Sequence, residues 1–136
     1  KQLIVGPKRE VFAPVLLERH EVVFALEGMQ YDLLTLPAAG LVLDRSSQNA
    51  MLDMDSLSFP LTIRTWQEGD RFRPLGMKHF KKVSDFLIDL KVPLIEKKRV
   101  KVLCSGKNVV WIIGYRLDDR YKISAATHTV LYIKKC

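Results

Sequence analysis

Residues 64–77 read Arg64-Thr-Trp66-Gln-Glu-Gly69-Asp70-Arg71-Phe72-Arg73-Pro74-Leu75-Gly76-Met77, and residues 78–93 continue Lys78-His-Phe80-Lys81-Lys82-Val83-Ser84-Asp85-Phe86-Leu87-Ile-Asp89-Leu90-Lys91-Val92-Pro93. The first segment combines turn-forming residues with cations. The second places lysines directly before a helical pattern of apolar residues. Short strand-like runs surround this stretch, without the alternation of strands and helices typical of parallel sheets. The sequence therefore predicts an α+β fold, with a mostly antiparallel sheet and one or two short helices.

Two tight turns are predicted in the first segment. Gly69 suits the left-handed conformation in a turn over residues 67–70, where the carboxylate of Asp70 can accept backbone N–H bonds or pair with a nearby arginine. Pro74 and Gly76 occupy the second and fourth positions of a predicted type I turn over residues 73–76. These four residues are predicted to shape a rigid loop that presents the side chains between them.

A strand is predicted directly before the turns, starting after Pro60. Alternation places Arg64 and Trp66 on one face of this strand, and Leu61 and Ile63 on the other. Two roles for Trp66 follow from this placement: it presents an aromatic surface beside Arg64, or it fills the edge of the core while Arg64 extends to solvent.

The second segment predicts a helix. Its apolar stripe consists of Val83, Phe86, Leu87 and Leu90. Ser84 is the predicted N-cap, and Val92-Pro93 ends the helix because the residue before a proline avoids the helical region. A second short helix is predicted from Pro93 through Lys98. Lys78, Lys81 and Lys82 flank the start of the first helix, which predicts a phosphate site there.

The rest of the chain predicts strands. We expect short strands at residues 3–5, before the turn Gly6-Pro7, and at residues 41–43. Hairpins are predicted over residues 21–36, with Gly28 at the turn, and over residues 99–114, where Trp111 lies in the core. Residues 116–122 are predicted to form a polar loop, and residues 127–133 a last strand. We expect one domain over residues 1–136, with a strand-rich or connecting segment at 1–58 and a basic core at 59–136.

Charge is distributed unevenly along the 136 residues. Residues 1–60 carry 5 Lys and Arg against 8 Asp and Glu, whereas residues 61–136 carry 17 against 7. Such asymmetry suggests that the second half meets a polyanion, although a merely soluble basic surface would have the same composition. Apolar residues make up 48%, which argues against disorder, and no run is long enough to span a membrane.

Known catalytic motifs are absent from the sequence. It lacks phosphate-binding glycine motifs, and His20, His79 and His128 lack metal-ligand spacing. Two cysteines, Cys104 and Cys136, predict neither a disulfide framework nor a zinc site. The carboxylate pairs Asp85/Asp89 and Asp118/Asp119 could in principle bind magnesium or act as acid and base. The first pair lies on a helix whose other face is core, so solvated charges that balance Lys81 and Lys82 are its expected role. No catalytic residue and no metal ligand is therefore predicted.

A binding surface for RNA remains. Lysine and arginine neutralise phosphates, and guanidinium groups and exposed aromatic rings stack on unpaired bases. The predicted RNA-binding residues are Arg64, Trp66, Arg71, Arg73, Lys78, Lys81, Lys82, Arg116, Arg120 and Lys122. Phe72 and Phe80 could also stack on bases, but both are expected in the core.

The pattern Arg-x-Trp-x-x-Gly-Asp-Arg-Phe-x-Pro-Leu-Gly-Met, followed by Lys-Lys-x-Ser-Asp-Phe-Leu, resembles the C-terminal domain of bacterial tRNA(Ile)-lysidine synthetases. The resemblance covers roughly residues 50–124, and residues 1–50 do not match the pattern. That family's domain is similar in turn to a substrate-editing module of phenylalanyl-tRNA synthetase, which agrees with an α+β fold.

The resemblance implies a function and partners. Enzymes of the family are ATP-dependent carbon–nitrogen ligases that use ATP and Mg to attach lysine to the wobble cytidine of an isoleucine tRNA. Their N-terminal catalytic domain carries a Ser-Gly-Gly-x-Asp-Ser loop, which this sequence lacks. The chain would then be the cytoplasmic tRNA-binding part, without a cofactor and inactive alone. It would grip the acceptor stem beside its own catalytic domain, with a homodimer possible and no membrane partner.

Two other functions stay open at this stage. The basic face could meet an acidic surface of a catalytic domain, so that the chain is an interdomain or protein-interaction module without RNA contact. A small hydrolase that uses the aspartate pairs is the remaining alternative, and it would require a divalent metal.

Overall fold

A computed structural model describes residues 12–136 of the chain. The strand predicted at residues 3–5 and the turn Gly6-Pro7 lie outside the described residues. Residues 12–136 form β1 (Val15–Leu17), β2 (Val23–Leu26), β3 (Met29–Pro37), β4 (Ala50–Asp53), β5 (Leu61–Thr65), β6 (Arg71–Phe72), β7 (Lys81–Lys82), α1 (Val83–Asp89), α2 (Leu94–Lys97), β8 (Lys101–Ser105), β9 (Asn108–Ile112), β10 (Arg116–Leu117) and β11 (Thr129–Lys135). Short 3-10 turns cover Met54–Ser56 and Asp119–Tyr121.

The strands form two sheets and one two-stranded ribbon. The first sheet has the order β1-β5-β8-β9-β10, and the second has the order β2-β3-β11-β4. Strands β6 and β7 pair only with each other and form the ribbon. All of these pairings are antiparallel. The predicted α+β fold with a mostly antiparallel sheet and two short helices is confirmed.

Apolar side chains cover both faces of the first sheet. One cluster joins it to the second sheet and includes Leu61, Ile63 and Trp111, each at most 1% exposed. The other cluster lies under the ribbon and α1, and it includes Phe72 and Val83, both fully buried. A strand covered on both faces needs apolar residues at nearly every position, which explains the continuous apolar run of β9. Trp111 therefore lies in the core, as predicted.

Strands from the first 58 residues pair with strands from the rest of the chain. β1 pairs with β5, and β3 pairs with β11 over seven positions, from Pro37 opposite Thr129 to Tyr31 opposite Lys135. β4 pairs with the other edge of β11. The acidic first part of the chain thus contributes strands to both sheets.

The predicted hairpins are present, but one predicted strand is not. β2 and β3 are joined at Glu27 and Gly28, whose φ angles of 51° and 82° suit a two-residue hairpin turn. β8 and β9 are joined at Gly106 and Lys107. Residues 41–43 form no strand, which corrects that prediction. These residues form a loop without strand pairing. The loop is attached to the second sheet through Asp44, whose backbone N–H donates to Met51 Sδ and whose carboxylate accepts from the Tyr132 hydroxyl.

The boundaries of α1 differ from the prediction. Ser84 is not the N-cap: Lys82 takes that position, and the N–H of Val83 donates to the carbonyl of Asp70 at 2.9 Å. The preceding residues are held extended in β7, so the chain enters the helix directly from a strand. Leu90 is 46% exposed because the helix ends at Asp89, which corrects its assignment to the buried stripe. α2 follows Pro93, as predicted.

Neither helix within residues 12–136 has the length and apolar character that crossing a membrane requires.

Candidate nucleic-acid interface

The ribbon places cations on its outer face. Arg71 lies directly opposite Lys82, and Phe72 lies opposite Lys81. The ring of Phe72 points inward and meets Phe86 edge-on, with 5.0 Å between ring centroids. Because side chains alternate along a strand, the inward Phe72 requires Arg71 to face outward. Two like charges directly opposite each other destabilise a strand pair, so this arrangement favours an anion at the outer face.

The loop before β6 is closed by Asp70. Its carboxylate accepts two hydrogen bonds from the Arg64 guanidinium, at 2.9 and 3.0 Å, and a third from the N–H of Gln67 at 2.7 Å. Gly69 has a φ of 94°, and the N–H of Asp70 donates to the carbonyl of Gln67. The hydrogen bonds to Asp70 raise the pKa of Arg64. Asp70 thus has both predicted roles: it accepts a backbone N–H bond that closes the turn, and it pairs with a nearby arginine.

The next turn lies one residue later than predicted. The N–H of Met77 donates to the carbonyl of Pro74 at 2.8 Å, so Gly76 occupies the third position with a φ of 87°. A type II turn requires this positive φ at its third position, whereas the predicted type I turn would place glycine at the fourth. The N–H of Leu75 also donates to the carbonyl of Leu117, which ties the turn to β10.

The carboxylate of Asp118 holds the loop that follows β6 in place. Its side chain is fully buried and accepts from the backbone N–H of Arg73 at 2.8 Å. It also accepts three hydrogen bonds from Arg120: from the backbone N–H, from Nε and from Nη2, at 2.8, 3.0 and 2.9 Å. These bonds raise the pKa of Arg120. A buried carboxylate with four donors holds the backbone of one segment and the side chain of another in fixed positions.

Asp119 continues the same anchor and is 7% exposed. It accepts from the N–H of Gly76 at 3.0 Å, from Arg73 Nη2 at 3.0 Å and from Lys122 Nζ at 3.1 Å. The Gly76 N–H bond, followed by the bonds from the two cations, lowers the pKa of Asp119. The segment predicted as a polar loop, residues 116–122, therefore contains β10, a 3-10 turn and two buried carboxylates, which corrects that prediction. The two acids follow β10 directly and are flanked by Leu117 and Tyr121, a pattern that could have indicated burial.

Other predicted RNA-binding residues also have partners within the chain. Trp66 packs against the second core cluster, and its Nε1 donates to the carbonyl of Lys97 at 2.7 Å. Lys81 forms an ion pair with Asp89. The guanidinium of Arg116 lies 5.5 Å from the centroid of the Phe86 ring. The structure thus gives Trp66 a structural role.

Three of the predicted residues are exposed and form no ion pair within residues 12–136. Arg71 and Lys82 lie in the ribbon, and Lys78 lies in the loop that joins its two strands. No described carboxylate neutralises these three cations. Whether they contact RNA remains a prediction, as it does for the other seven residues.

Phe80 and Lys107 were not among the predicted binding residues. Phe72 lies in the core as expected, but Phe80 is 50% exposed, which corrects its assignment to the core. It precedes β7 and lies beside a groove of about 460 Å³. The groove is lined by Gly69, Asp70, Arg71, Phe80, Lys107, Asn108, Val109 and Arg120. Lys107 lines the groove from the β8–β9 turn. Because this turn is far from the ribbon in sequence, the sequence alone does not place Lys107 beside it.

Within the described residues no group of three or more His, Cys, Asp or Glu side chains is positioned to hold a metal ion. Asp85 and Asp89 are exposed on α1, and the second of them pairs with Lys81. Cys104 is buried in β8, and burial raises the pKa of its thiol. The arrangement as a whole is a basic surface on rigid loops.

Comparisons with known proteins show which proteins this chain is similar to. A family profile described as "TilS substrate C-terminal domain" matches residues 61–133. The tRNA(Ile)-lysidine synthase of Parabacteroides distasonis is 48% identical over 91 residues, which are 67% of this chain and 21% of that protein. The enzyme of the same name from Dehalococcoides mccartyi is 40% identical over 110 residues, 80% of this chain and 23% of that protein. The chain thus spans about a fifth of the length of these relatives.

A solved structure supports the fold. The protein described as "Crystal structure of TILS C-terminal domain" superposes with a TM-score of 0.74 and 18% identity. The match covers 90% of this chain and 96% of the other. At this identity the likeness establishes the arrangement of strands and helices.

Proposed function

Because the chain belongs to the family of TilS substrate C-terminal domains, which its residues 61–133 match, we propose that it binds the acceptor stem of an isoleucine tRNA. The relatives it resembles are named tRNA(Ile)-lysidine synthases. In the complete enzyme, an N-terminal catalytic domain would use ATP and Mg to attach lysine to the wobble cytidine. The chain described here would hold the tRNA as a single folded unit and supply no catalytic residue.

One observation carries this proposal: Arg71 lies opposite Lys82 on the outer face of the ribbon, with Lys78 in the connecting loop, and no carboxylate within residues 12–136 pairs with them. Folding alone gains nothing from such a pair. An RNA backbone supplies closely spaced phosphates, and their contact with Lys and Arg releases condensed counterions. A bound polyanion thus turns an unfavourable pair into a favourable one.

The geometry also fits a duplex better than a base sequence. Duplex RNA has a deep, narrow major groove that side chains read poorly, so proteins recognise its shape and its backbone. The ribbon is short and its flanking loops are held by Asp70, Asp118 and Asp119, so the backbone positions that carry its cations are fixed. A rigid row of cations suits a helix whose phosphates are themselves regularly spaced.

The test is a titration of isoleucine tRNA transcript with this chain at several salt concentrations. The double variant Arg71→Ala/Lys82→Ala should weaken binding and make the slope of log affinity against log salt less negative by about 1.4 to 1.8, the contribution of two phosphates. The matched control Lys98→Ala/Lys134→Ala also removes two exposed charges, but after α2 and in β11 rather than in the ribbon. It should leave the slope close to that of the unchanged chain.

Changes to the tRNA complete this test. Mismatches that disrupt the helix of the acceptor stem should lower affinity, whereas base-pair exchanges that keep its helical shape, and changes to the anticodon, should not. Absence of binding at low salt, or equal slopes for the two double variants, would contradict the proposal.

A second candidate function is an interdomain module without RNA contact. Its support is an apolar surface at the end of α1 and on α2, where Ile88, Leu90, Leu94 and Ile95 are 56%, 46%, 66% and 76% exposed. Clustered apolar side chains mark protein contacts more often than RNA contacts. This function predicts that the chain binds a separately produced catalytic domain of a relative, that Ile95→Glu abolishes this binding, and that tRNA does not bind the chain alone.

A further inference from the structure

Phe80 is an aromatic side chain whose environment is cationic. Half of its surface is exposed, and the guanidinium of Arg120 lies 4.8 Å from the ring centroid. The guanidinium cannot move freely, because buried Asp118 accepts from both Nε and Nη2. The cation therefore occupies one side of the ring in a fixed position, and the exposed surface of the ring is held in place at the wall of the groove.

Two further cations line the groove. Arg71 and Lys107 line it and are exposed, and neither forms an ion pair with a described residue. Asp70 lines it too, but its carboxylate is already bonded twice by Arg64 and once by the N–H of Gln67. The groove thus combines one stacking surface with two cations that lack a local counterion.

This combination matches the chemistry of a nucleotide. Nucleobases stack on aromatic rings, largely independently of sequence, while cations beside the ring contact the phosphates on either side of the base. Within a duplex, each base face is already covered by the next base pair. A base with a free face is found where the strand is unpaired, at a single-stranded end, a bulge or a loop.

We propose that this groove binds an unpaired nucleotide adjacent to the RNA duplex, with its base stacked on Phe80 and its flanking phosphates at Arg71 and Lys107. The inference rests on the proposed function, because it assumes that the duplex lies along the ribbon of which Arg71 is part. It adds a subsite in which binding depends on an aromatic ring rather than on charge alone.

The experiment compares two RNAs of identical duplex sequence. One has blunt ends, and the other carries a single-stranded 3′ extension that contains 2-aminopurine, whose emission falls when the base stacks. The extended RNA should bind the unchanged chain about 5- to 10-fold more tightly than the blunt RNA, the low end of what one stacked base contributes. Binding should also quench 2-aminopurine emission.

Substitutions at Phe80 separate stacking from packing. Phe80→Leu keeps an apolar side chain over Arg120 but removes the ring, so it should abolish the gain from the extension and leave the affinity for blunt RNA unchanged. Phe80→Trp should retain the gain. Met77→Ala is the matched control, since Met77 is an exposed apolar residue of the same loop that does not line the groove. It should behave as the unchanged chain.

Each outcome bears on one proposal. If neither RNA binds, the proposed function fails, and with it the basis for this subsite. If both RNAs bind equally well to the unchanged chain, the proposed function stands and the subsite is wrong; the groove would then serve another ligand, such as a protein segment. An equal loss for both RNAs in Phe80→Leu would also overturn the subsite, because it would show that Phe80 supports the loop or the duplex contact.

Discussion

The basic face contains two kinds of cation that differ in what surrounds them. Arg64, Arg73 and Arg120 each meet a carboxylate that is at most 13% exposed, and their charge is neutralised within the domain. Arg71 and Lys82 meet no carboxylate among the described residues and lie opposite each other. The first kind stabilises the loops, and the second is available to a ligand. A count of basic residues therefore overstates the charge that RNA would meet.

Removal of the Asp118 carboxylate should have the largest effect on the stability of these loops. In Asp118→Ala the backbone N–H of Arg73 and the guanidinium of Arg120 lose their common acceptor. We expect a loss of roughly 2–3 kcal/mol in the free energy of unfolding, at the lower end for a broken buried pair because Arg120 is partly exposed. Urea denaturation measures it. A change below about 0.5 kcal/mol, typical of surface sites, would show that the anchor is dispensable.

A substitution of Trp66 tests whether this predicted binding residue stabilises the fold instead of contacting RNA. Trp66→Phe removes the hydrogen bond to the carbonyl of Lys97 and part of the packing against the second cluster. We expect a loss of about 1.5 kcal/mol in unfolding free energy. The tRNA affinity of the folded protein should stay unchanged. Weakened binding at unchanged stability would instead assign Trp66 to the ligand surface.

Arg71 and Arg73 are two positions apart and test the comparison directly. Arg73→Ala removes the ion pair with Asp119 and should lower the unfolding free energy by about 1 kcal/mol. Arg71→Ala should change it by less than about 0.5 kcal/mol, while reducing tRNA affinity and its salt dependence. Thermal melts and binding titrations on both variants provide the comparison. Identical behaviour of the two variants would remove the distinction between the groups.

The smallest expected effect is a loss of stability at acidic pH. Asp119 has a pKa below its ordinary value of 3.8, so its ionised form stabilises the folded state. This contribution is complete above the unfolded pKa and is lost as the pH falls through the folded one. Between about pH 5 and about pH 3, the unchanged chain should therefore lose more stability than Asp119→Asn, which is already weaker near neutrality. Parallel losses over that range would assign the acid sensitivity to other carboxylates.

Sequence reasoning succeeded where short-range pattern determines structure. The hairpins around Gly28 and Gly106 follow from glycine between apolar runs, and the burial of Trp111 follows from a run that is apolar on both faces. It failed at Ser84, because a preferred capping residue was overridden by the pairing of β6 with β7. The ribbon has only two residues in each strand, too few to produce a recognisable alternation.

The site was harder to predict than the fold, since its geometry depends on residues far apart in sequence. Asp118 lies 45 residues from Arg73, whose backbone N–H donates to its carboxylate. Asp119 lies 43 residues from Gly76, whose N–H donates to it. No local pattern pairs them. Phe80 likewise reads as a core residue in the sequence, and only the position of Arg120 shows that its ring stands at the surface over a cation. The list of cations was accessible from sequence, whereas their division into neutralised and available groups was not.

The position of β11 has a consequence for how the chain is made. This last strand lies in the interior of the second sheet, between β3 and β4, and pairs with both. During synthesis, β3 and β4 therefore leave the ribosome without the strand that separates them, and residues 129–135 must be translated before the sheet can close. Contacts of such long sequence separation form slowly and leave strand edges unpaired meanwhile. Nascent chains should thus stay sensitive to protease and dependent on chaperones until β11 has left the ribosome.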